Sequence, residues 1–401
     1  VQAGPVRTLA YHEEVEAVID RFDLFGASSG LVDGVRVSIP GALEGERVRA
    51  RIFHQGRRGA RADLLEILEP SPRRIVPRCS LFGRCGGCQL QHLAYAEQLR
   101  LKEQWVRGLF ARIGQEARVR PVHASPREFG YRSKITPHFF ADRGEGIESI
   151  GFLHVGTRSR IVDVEQCPIA TEAINQRLPE ERARIRARAE TFIQAATLLL
   201  RETADGVVTD PAAPARVVVR GLEFVFPAGE FFQNNPFILE AFVDYVVGQA
   251  VAGGQRHLVD AYCGSGLFGL VAAARFERVT GVEISPAAVE RARANAERNG
   301  LHHVEILHGR AEDVFAPLEG KGGELAVLVD PPRKGCGPDF MEQAAELAPA
   351  RLVYVSCNPE TQVKDLGILL ERGYRLESVQ PFDLFPQTRH VETVATLVRK
   401  T

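Results

Sequence analysis

"LVDAYCGSGLFGL", residues 258–270, decides the fold. It opens as an apolar run, breaks at Gly264 and Gly266, and resumes as a second apolar stretch. A buried strand, a tight turn and a helix read this way, and the two glycines let the backbone approach a ligand closely. The next apolar run closes on "GVEIS", with Glu283 at its tip. Beyond it "VEILHG", "LAVLVDPP", "RLVYVSC", "RLESVQPFD" and "TVATLVRK" are separated by helical stretches such as "PAAVERARANAERNG". Strands alternating with helices predict an α/β fold, a doubly wound, Rossmann-like sheet over residues 231–401. Ligands of such sheets bind beyond the carboxyl ends of the strands.

A glycine-rich turn alone could serve a nucleotide, a dinucleotide or only packing. No Walker lysine follows it. Asp260 inside the strand end and Glu283, whose carboxylate can take both hydroxyls of a ribose, favour S-adenosylmethionine as the cofactor. "VLVDPPRKG" puts Asp330 at the end of the fourth strand. Methyltransferases acting on exocyclic amines carry an aromatic residue after Asp-Pro-Pro. Here Arg333 stands in that place, which points to another acceptor atom.

"VSCNPET" places Cys357 where the fifth strand opens into a loop, because Pro359 cannot extend the strand. The plainer alternative is a buried core thiol. A thiolate at this edge suits one demanding reaction. C5 of uracil takes a methyl only after a nucleophile has added at C6, and a base must then remove the C5 proton so that the thiolate can leave. "FDLFPQTRHVETVATL" offers Glu392 as that base, with His390 as second candidate, and "GEFFQNNP" brings the Gln233 amide.

"FFQNNP", "DAYCGSG", "GVEIS", "DPPRKG", "SCNPET" and "FPQTRHVE", in this order and spacing, resemble the RNA 5-methyluridine methyltransferase family. The resemblance spans almost the whole chain. It implies Cys357 as nucleophile and Glu392 as base. It puts Gln233, Tyr262, Glu283 and Asp330 at cofactor-binding positions, beside the Gly264 and Gly266 turn. Leu267 stands where some bacterial members have an Asn that contacts cofactor, Arg310 replaces another such contact, and "DLF" replaces Asp-Met-Phe. These departures bear on cofactor contacts and leave the catalytic pair intact.

Residues 15–71 read as short strands with glycine-rich turns, an OB-type β-barrel that resembles the TRAM domain many members use to bind RNA. In "ERVRARIF", Val48, Ala50 and Ile52 share one face and Arg47, Arg49 and Arg51 the other. Residues 47–78 add Arg57, Arg58, Arg61, Arg73, Arg74 and Arg78 against Asp63, Glu66 and Glu69. An arginine row suits a phosphate backbone, and a solvated strand face is the plainer reading.

Residues 72–230 form a central α+β block that opens on "CSLFGRCGGCQLQH". Cys79, Cys85 and Cys88 need a fourth ligand, for which Cys167, Cys263 and Cys336 are candidates. Cys167 precedes Pro168, as the last ligand of many iron–sulfur clusters precedes a proline. Four thiolates could equally hold zinc. The resemblance implies a [4Fe-4S] cluster on Cys79, Cys85, Cys88 and Cys167, because members with the "CGGC" segment carry one.

Net charge is −1 over 401 residues, so no global basic field marks the chain. No apolar run is long enough to span a membrane, the first residues lack the apolar core of a signal peptide, and seven cysteines fit a reducing compartment. The expectation is therefore a cytoplasmic, monomeric, S-adenosylmethionine-dependent RNA uracil-C5 methyltransferase without a membrane partner. Its expected substrate is 23S rRNA, as for the bacterial members with a barrel and a cluster, and a T-loop uridine of tRNA is the alternative. Two rivals are an RNA cytosine-C5 methyltransferase, which usually carries a Pro-Cys where this chain has Asp330-Pro331, and a non-enzymatic iron–sulfur RNA sensor.

Overall fold

The alternation in "ERVRARIF" becomes one wall of a barrel in a computed structural model, which describes residues 8–24, 27–56, 59–140, 146–192, 194–314 and 322–400. The chain divides into two units. One comprises Val1–Trp105, Phe152–Val162 and Gln387–Arg389; the other comprises Val106–Gly151, Asp163–Pro386 and His390–Thr401.

The first unit contains β1 (Glu14–Phe22), β2 (Ser28–Val32), β3 (Val35–Ser38), β4 (Arg47–Gly56) and β5 (Gly59–Glu69), closed in the order β1-β2-β3-β5-β4. Closure leaves no unpaired edge, as in OB-like barrels. Val15, Ala17 and Ile19 of β1 and Val48, Ala50 and Ile52 of β4 fill the interior. The outward arginines are not a bare phosphate-binding row. Arg47 pairs with Glu16 and Glu69, Arg49 with Glu66, and Arg51 with Glu14, all on neighbouring strands. Exposed pairs add little stability, but they cancel the charge of the row. Arg57 and Arg58 lie outside the described residues.

In the second unit α1 spans Glu172–Arg186, and Leu200–Thr203 pairs with Gly206–Val208 as a hairpin. Buried Arg201 donates to the carbonyls of Ala228 and Glu230, holding the segment that leads to Gln233. α2 (Pro236–Val251) starts with Pro at its first position, where the missing N–H costs nothing.

The main sheet has seven strands: β6 (His257–Ala261), β7 (Arg278–Glu283), β8 (Val304–His308), β9 (Leu325–Val329), β10 (Arg351–Ser356), β11 (Tyr374–Phe382) and β12 (Glu392–Arg399). Their order is β8-β7-β6-β9-β10-β12-β11, with β6 to β10 parallel and β12 antiparallel to both its neighbours. All of β9 is buried, as expected of a strand covered on both faces. α3 (Pro286–Arg298) and α4 (Pro359–Glu371) follow β7 and β10, and α2 packs on β9 and β10. The strand order reverses at β6, so the crevice beyond its carboxyl end is the natural ligand site. Because β12 runs antiparallel, its first residue, Glu392, reaches the same edge as the last residue of β10.

Candidate active site

The turn after β6 is built from left-handed residues: Tyr262 at φ 66°, Gly264 at 56° and Gly266 at 91°. For Tyr262 that conformation costs about 1–3 kcal/mol, strain of the kind that collects at ligand sites. Gly269 N–H donates to Asp260 Oδ2 at 2.8 Å. A Cβ on Gly269 would stand 2.8 Å from the same oxygen, so the helix can approach the strand only with glycine there. Asp260 Oδ1 is buried with no hydrogen-bond partner among the described residues. Burial, helped by Asp330 and Glu283, pushes the Asp260 carboxyl up to about 8. Glu283 accepts from Gly264 N–H at 3.1 Å and Ser285 N–H at 2.9 Å, one on each oxygen. Each oxygen keeps a lone pair for a further donor.

At the other side of the switch point, Ser356 pairs with Thr393 across β10 and β12. The next residue on each strand toward the edge is Cys357 and Glu392. Side chains opposite one another in an antiparallel pair stand about 4.5–5.5 Å apart at Cβ. Cys357 is partly buried and Glu392 is buried. Burial, then the charges of Glu392 and Asp330, push the Cys357 thiol up to about 12, and Arg333 pulls it down. Burial and Asp330 push Glu392 up to about 8, again opposed by Arg333. Burial pushes Asp330 up to about 7. The edge thus gathers a thiol, two carboxyls and one guanidinium.

The donor set suits S-adenosylmethionine. The crevice holds several buried carboxyls, one with an orphaned oxygen, and a cofactor with a sulfonium and an ammonium would compensate them. Glu283 would take ribose hydroxyls.

The sequence model of the tRNA (uracil-5-)-methyltransferase family matches residues 214–400. A tRNA (uracil(54)-C(5))-methyltransferase of Schizosaccharomyces pombe is 40% identical over 414 residues, covering 96% of this chain and 78% of the relative. The chain belongs to the tRNA (uracil-5-)-methyltransferase family. The enzyme of the same description from Saccharomyces cerevisiae is 33% identical, over 99% of this chain and 75% of its own. The crystal structure of Pyrococcus abyssi tRNA (uracil-54, C5)-methyltransferase in complex with S-adenosyl-L-homocysteine matches with a TM-score of 0.73 at 26% identity, over 96% of this chain and 99% of that one. The protein is an S-adenosylmethionine-dependent RNA uracil-C5 methyltransferase. The expected 23S rRNA preference finds no counterpart in these relatives, whose names all specify tRNA.

In this family member Gln233 is buried three residues before α2. Leu267 belongs to the apolar core, so its position supplies packing where some bacterial members have an amide. His390 stands edge-on to the Phe385 ring. Within the first unit, burial raises the Cys85 thiol and Cys79 adds to the effect. Among the described residues no group of three or more His, Cys, Asp or Glu could hold a metal ion. Of the expected [4Fe-4S] ligands, Cys79, Cys85 and Cys88 belong to the first unit and Cys167 to the second. No helix among the described residues is long and apolar enough to cross a membrane.

In the sequence Arg333 stands out only as the residue in place of an aromatic. It is the cation that acts on both Cys357 and Glu392. Asp365 does not stand out in the sequence. A carboxylate in the second turn of a helix carries no spacing signal, because its partners lie on other elements.

Proposed function

We propose that the enzyme methylates C5 of a tRNA uridine, the T-loop uridine 54 modified by its named relatives, with Cys357 as nucleophile and Glu392 as base. The juxtaposition of these two side chains at the ends of β10 and β12 carries this reading. The target uridine must be unstacked, because C6 is reached only face-on. Gln233, Tyr262, Glu283 and Asp330, with the Gly264–Gly266 turn, would hold the cofactor, which when bound supplies an electrophilic methyl group.

The Cys357 thiol must first lose its proton. Arg333 favours the thiolate, while Glu392 and Asp330 oppose it. The thiolate adds to C6, and the electron pair of the C5–C6 double bond passes toward the C4 oxygen and C5. C5 would then attack the methyl carbon, whose bond to the sulfonium sulfur breaks with its electron pair staying on sulfur, and the demethylated thioether would leave. Glu392 removes the C5 proton, the double bond re-forms, and the C6–S bond breaks to return the thiolate. A base held up to about 8 is well matched to a proton transfer near neutral pH.

The [4Fe-4S] reading rests on the "CGGC" segment and the Cys167-Pro168 pair alone, and plays no part in this mechanism. The substrate test compares unmodified tRNA and 23S rRNA transcripts with purified enzyme and labelled cofactor, followed by mass mapping. Label confined to a single T-loop uridine is expected. Label confined to 23S rRNA would overturn the tRNA reading.

A further inference from the structure

Asp365 lies on α4, the helix that begins directly after Cys357, and is buried. Its Oδ2 accepts from Cys336 N–H at 2.9 Å and from Tyr354 O–H at 2.6 Å. Cys336 belongs to the segment that starts with Asp330 and Arg333. The same segment is held a second time, where the Arg333 carbonyl accepts from Asn358 Nδ2 at 3.0 Å and Thr361 Oγ1 at 3.3 Å. Gly335 makes the close approach possible. Its φ is +82°, and a Cβ there would sit 2.6 Å from Asp365 Oδ2 and 3.3 Å from Thr361 Cβ. The Cys336 thiol in turn lies close to the hydroxyls of Tyr354 and Tyr262 and interacts with both. Tyr262 is the strained residue of the cofactor turn, and its ring lies 5.6 Å from that of Phe340.

We propose that Asp365 is a positioning residue for methyl transfer: by pinning Cys336 and Tyr354 it sets the segment from Asp330 to Cys336, and through Cys336 the Tyr262 turn, against the loop that carries Cys357. The thiol approaches the uracil from one strand end and the methyl donor binds at another. A fixed spacing between the ends of β6, β9 and β10 is what an in-line transfer to C5 requires. Asp365 touches neither reactant and acts only through this spacing. Its two acceptor bonds use a single oxygen, so an amide whose oxygen takes the same place preserves the pin.

The proposal rests on Cys357 being the nucleophile. Steady-state kinetics with tRNA transcript and S-adenosylmethionine test it on the full chain. Asp365→Ala should lower kcat by about ten- to a hundredfold, the usual effect of misplacing reactants by about 1 Å. KM for both substrates should stay within about threefold, and Asp365→Asn should recover kcat to within about threefold. Gly335→Ala should reproduce the loss from the other side of the contact, which keeps the test open if Asp365→Ala does not fold. Asp365→Ala turning over at the wild-type rate overturns the proposal. So does a loss carried by the KM for cofactor, or one that Asp365→Asn fails to rescue. Cys357→Ala separates the two readings: turnover in that variant sinks the nucleophile, whereas full turnover in Asp365→Ala sinks only the pin.

Discussion

Cys357 and Glu392 face each other one step beyond the last paired residues of two antiparallel strands, Ser356 of β10 and Thr393 of β12. The single Thr393 Oγ1 proton lies between Gln362 Oε1 at 2.8 Å and the Ser356 carbonyl at 3.3 Å, which ties the ladder's end to α4. Backbone pairing of Ser356 with Thr393 thereby fixes the strand ends next to which the thiol and the carboxyl lie.

Replacing Cys357 by Ala should abolish methylation of tRNA and any covalent enzyme–RNA complex, while cofactor binding stays within about twofold. The thiol supplies the only bond to C6 in the mechanism. Isothermal titration with S-adenosyl-L-homocysteine and a methyl-transfer assay read the two halves separately. Wild-type turnover in this variant would falsify the nucleophile assignment.

Glu392→Gln should stop the reaction after methyl transfer. Loss of a general base costs about 10²–10⁴-fold in rate. A methylated, covalently attached RNA should accumulate, visible on a denaturing gel with labelled cofactor. Release of free methylated RNA at the normal rate means that another group is the base, with His390 next to be tested.

The rate should climb with pH. A base must be ionised to accept a proton, and burial holds Glu392 up to about 8. Below that value kcat/KM should fall by about tenfold per pH unit, since it reports the free enzyme. A flat profile between pH 6 and 8 contradicts a buried Glu392 as the base.

The same burial makes the cofactor-free protein less stable as pH rises. Glu392 has a folded value of about 8 against an ordinary 4.5, so between these limits the folded state keeps a proton that the unfolded chain has released. The stability supplied by the neutral form is lost as pH rises through that window. Asp260, at about 8, and Asp330, at about 7, act in the same direction. Thermal melts should therefore show a lower Tm at pH 8.5 than at pH 6, and Glu392→Gln should flatten the slope. A Tm that rises over this range in the wild type contradicts the raised carboxyls.

Metal analysis of anaerobically purified protein decides the cysteine set. If Cys79, Cys85, Cys88 and Cys167 hold a cubane, iron should be present at about four per chain. Cys167→Ser should bleach it and Cys336→Ser should not. Stoichiometric zinc in colourless protein would leave a different metal on these thiols, and metal-free protein would leave none.

The sequence by itself determined the local pieces. The apolar runs "LAVLV" and "RLVYVS" became β9 and β10, because a strand buried on both faces must be nearly continuously apolar. Val48, Ala50 and Ile52 turned inward because side chains alternate along a strand. The order of "DAYCGSG", "DPPRKG", "SCNPET" and "RHVE" pointed to the reaction class, since uracil-C5 methylation needs a thiol and a base in one chain. The glycine spacing pointed to no cofactor on its own. Gly264, Gly266 and Gly269 fit a dinucleotide turn just as well. Only the tertiary structure decided what depends on partners distant in the chain. The outward arginines of β4 meet Glu14, Glu16, Glu66 and Glu69 because β1 and β5 flank that strand. Asp365 reaches Cys336 because Gly335 has no side chain to keep them apart. The carboxyls of Asp260, Asp330 and Glu392 leave their ordinary range because the sheet, with β12 reversed, brings them to one edge and buries them, and removal from water is a property of the folded surroundings that no residue carries in its own identity.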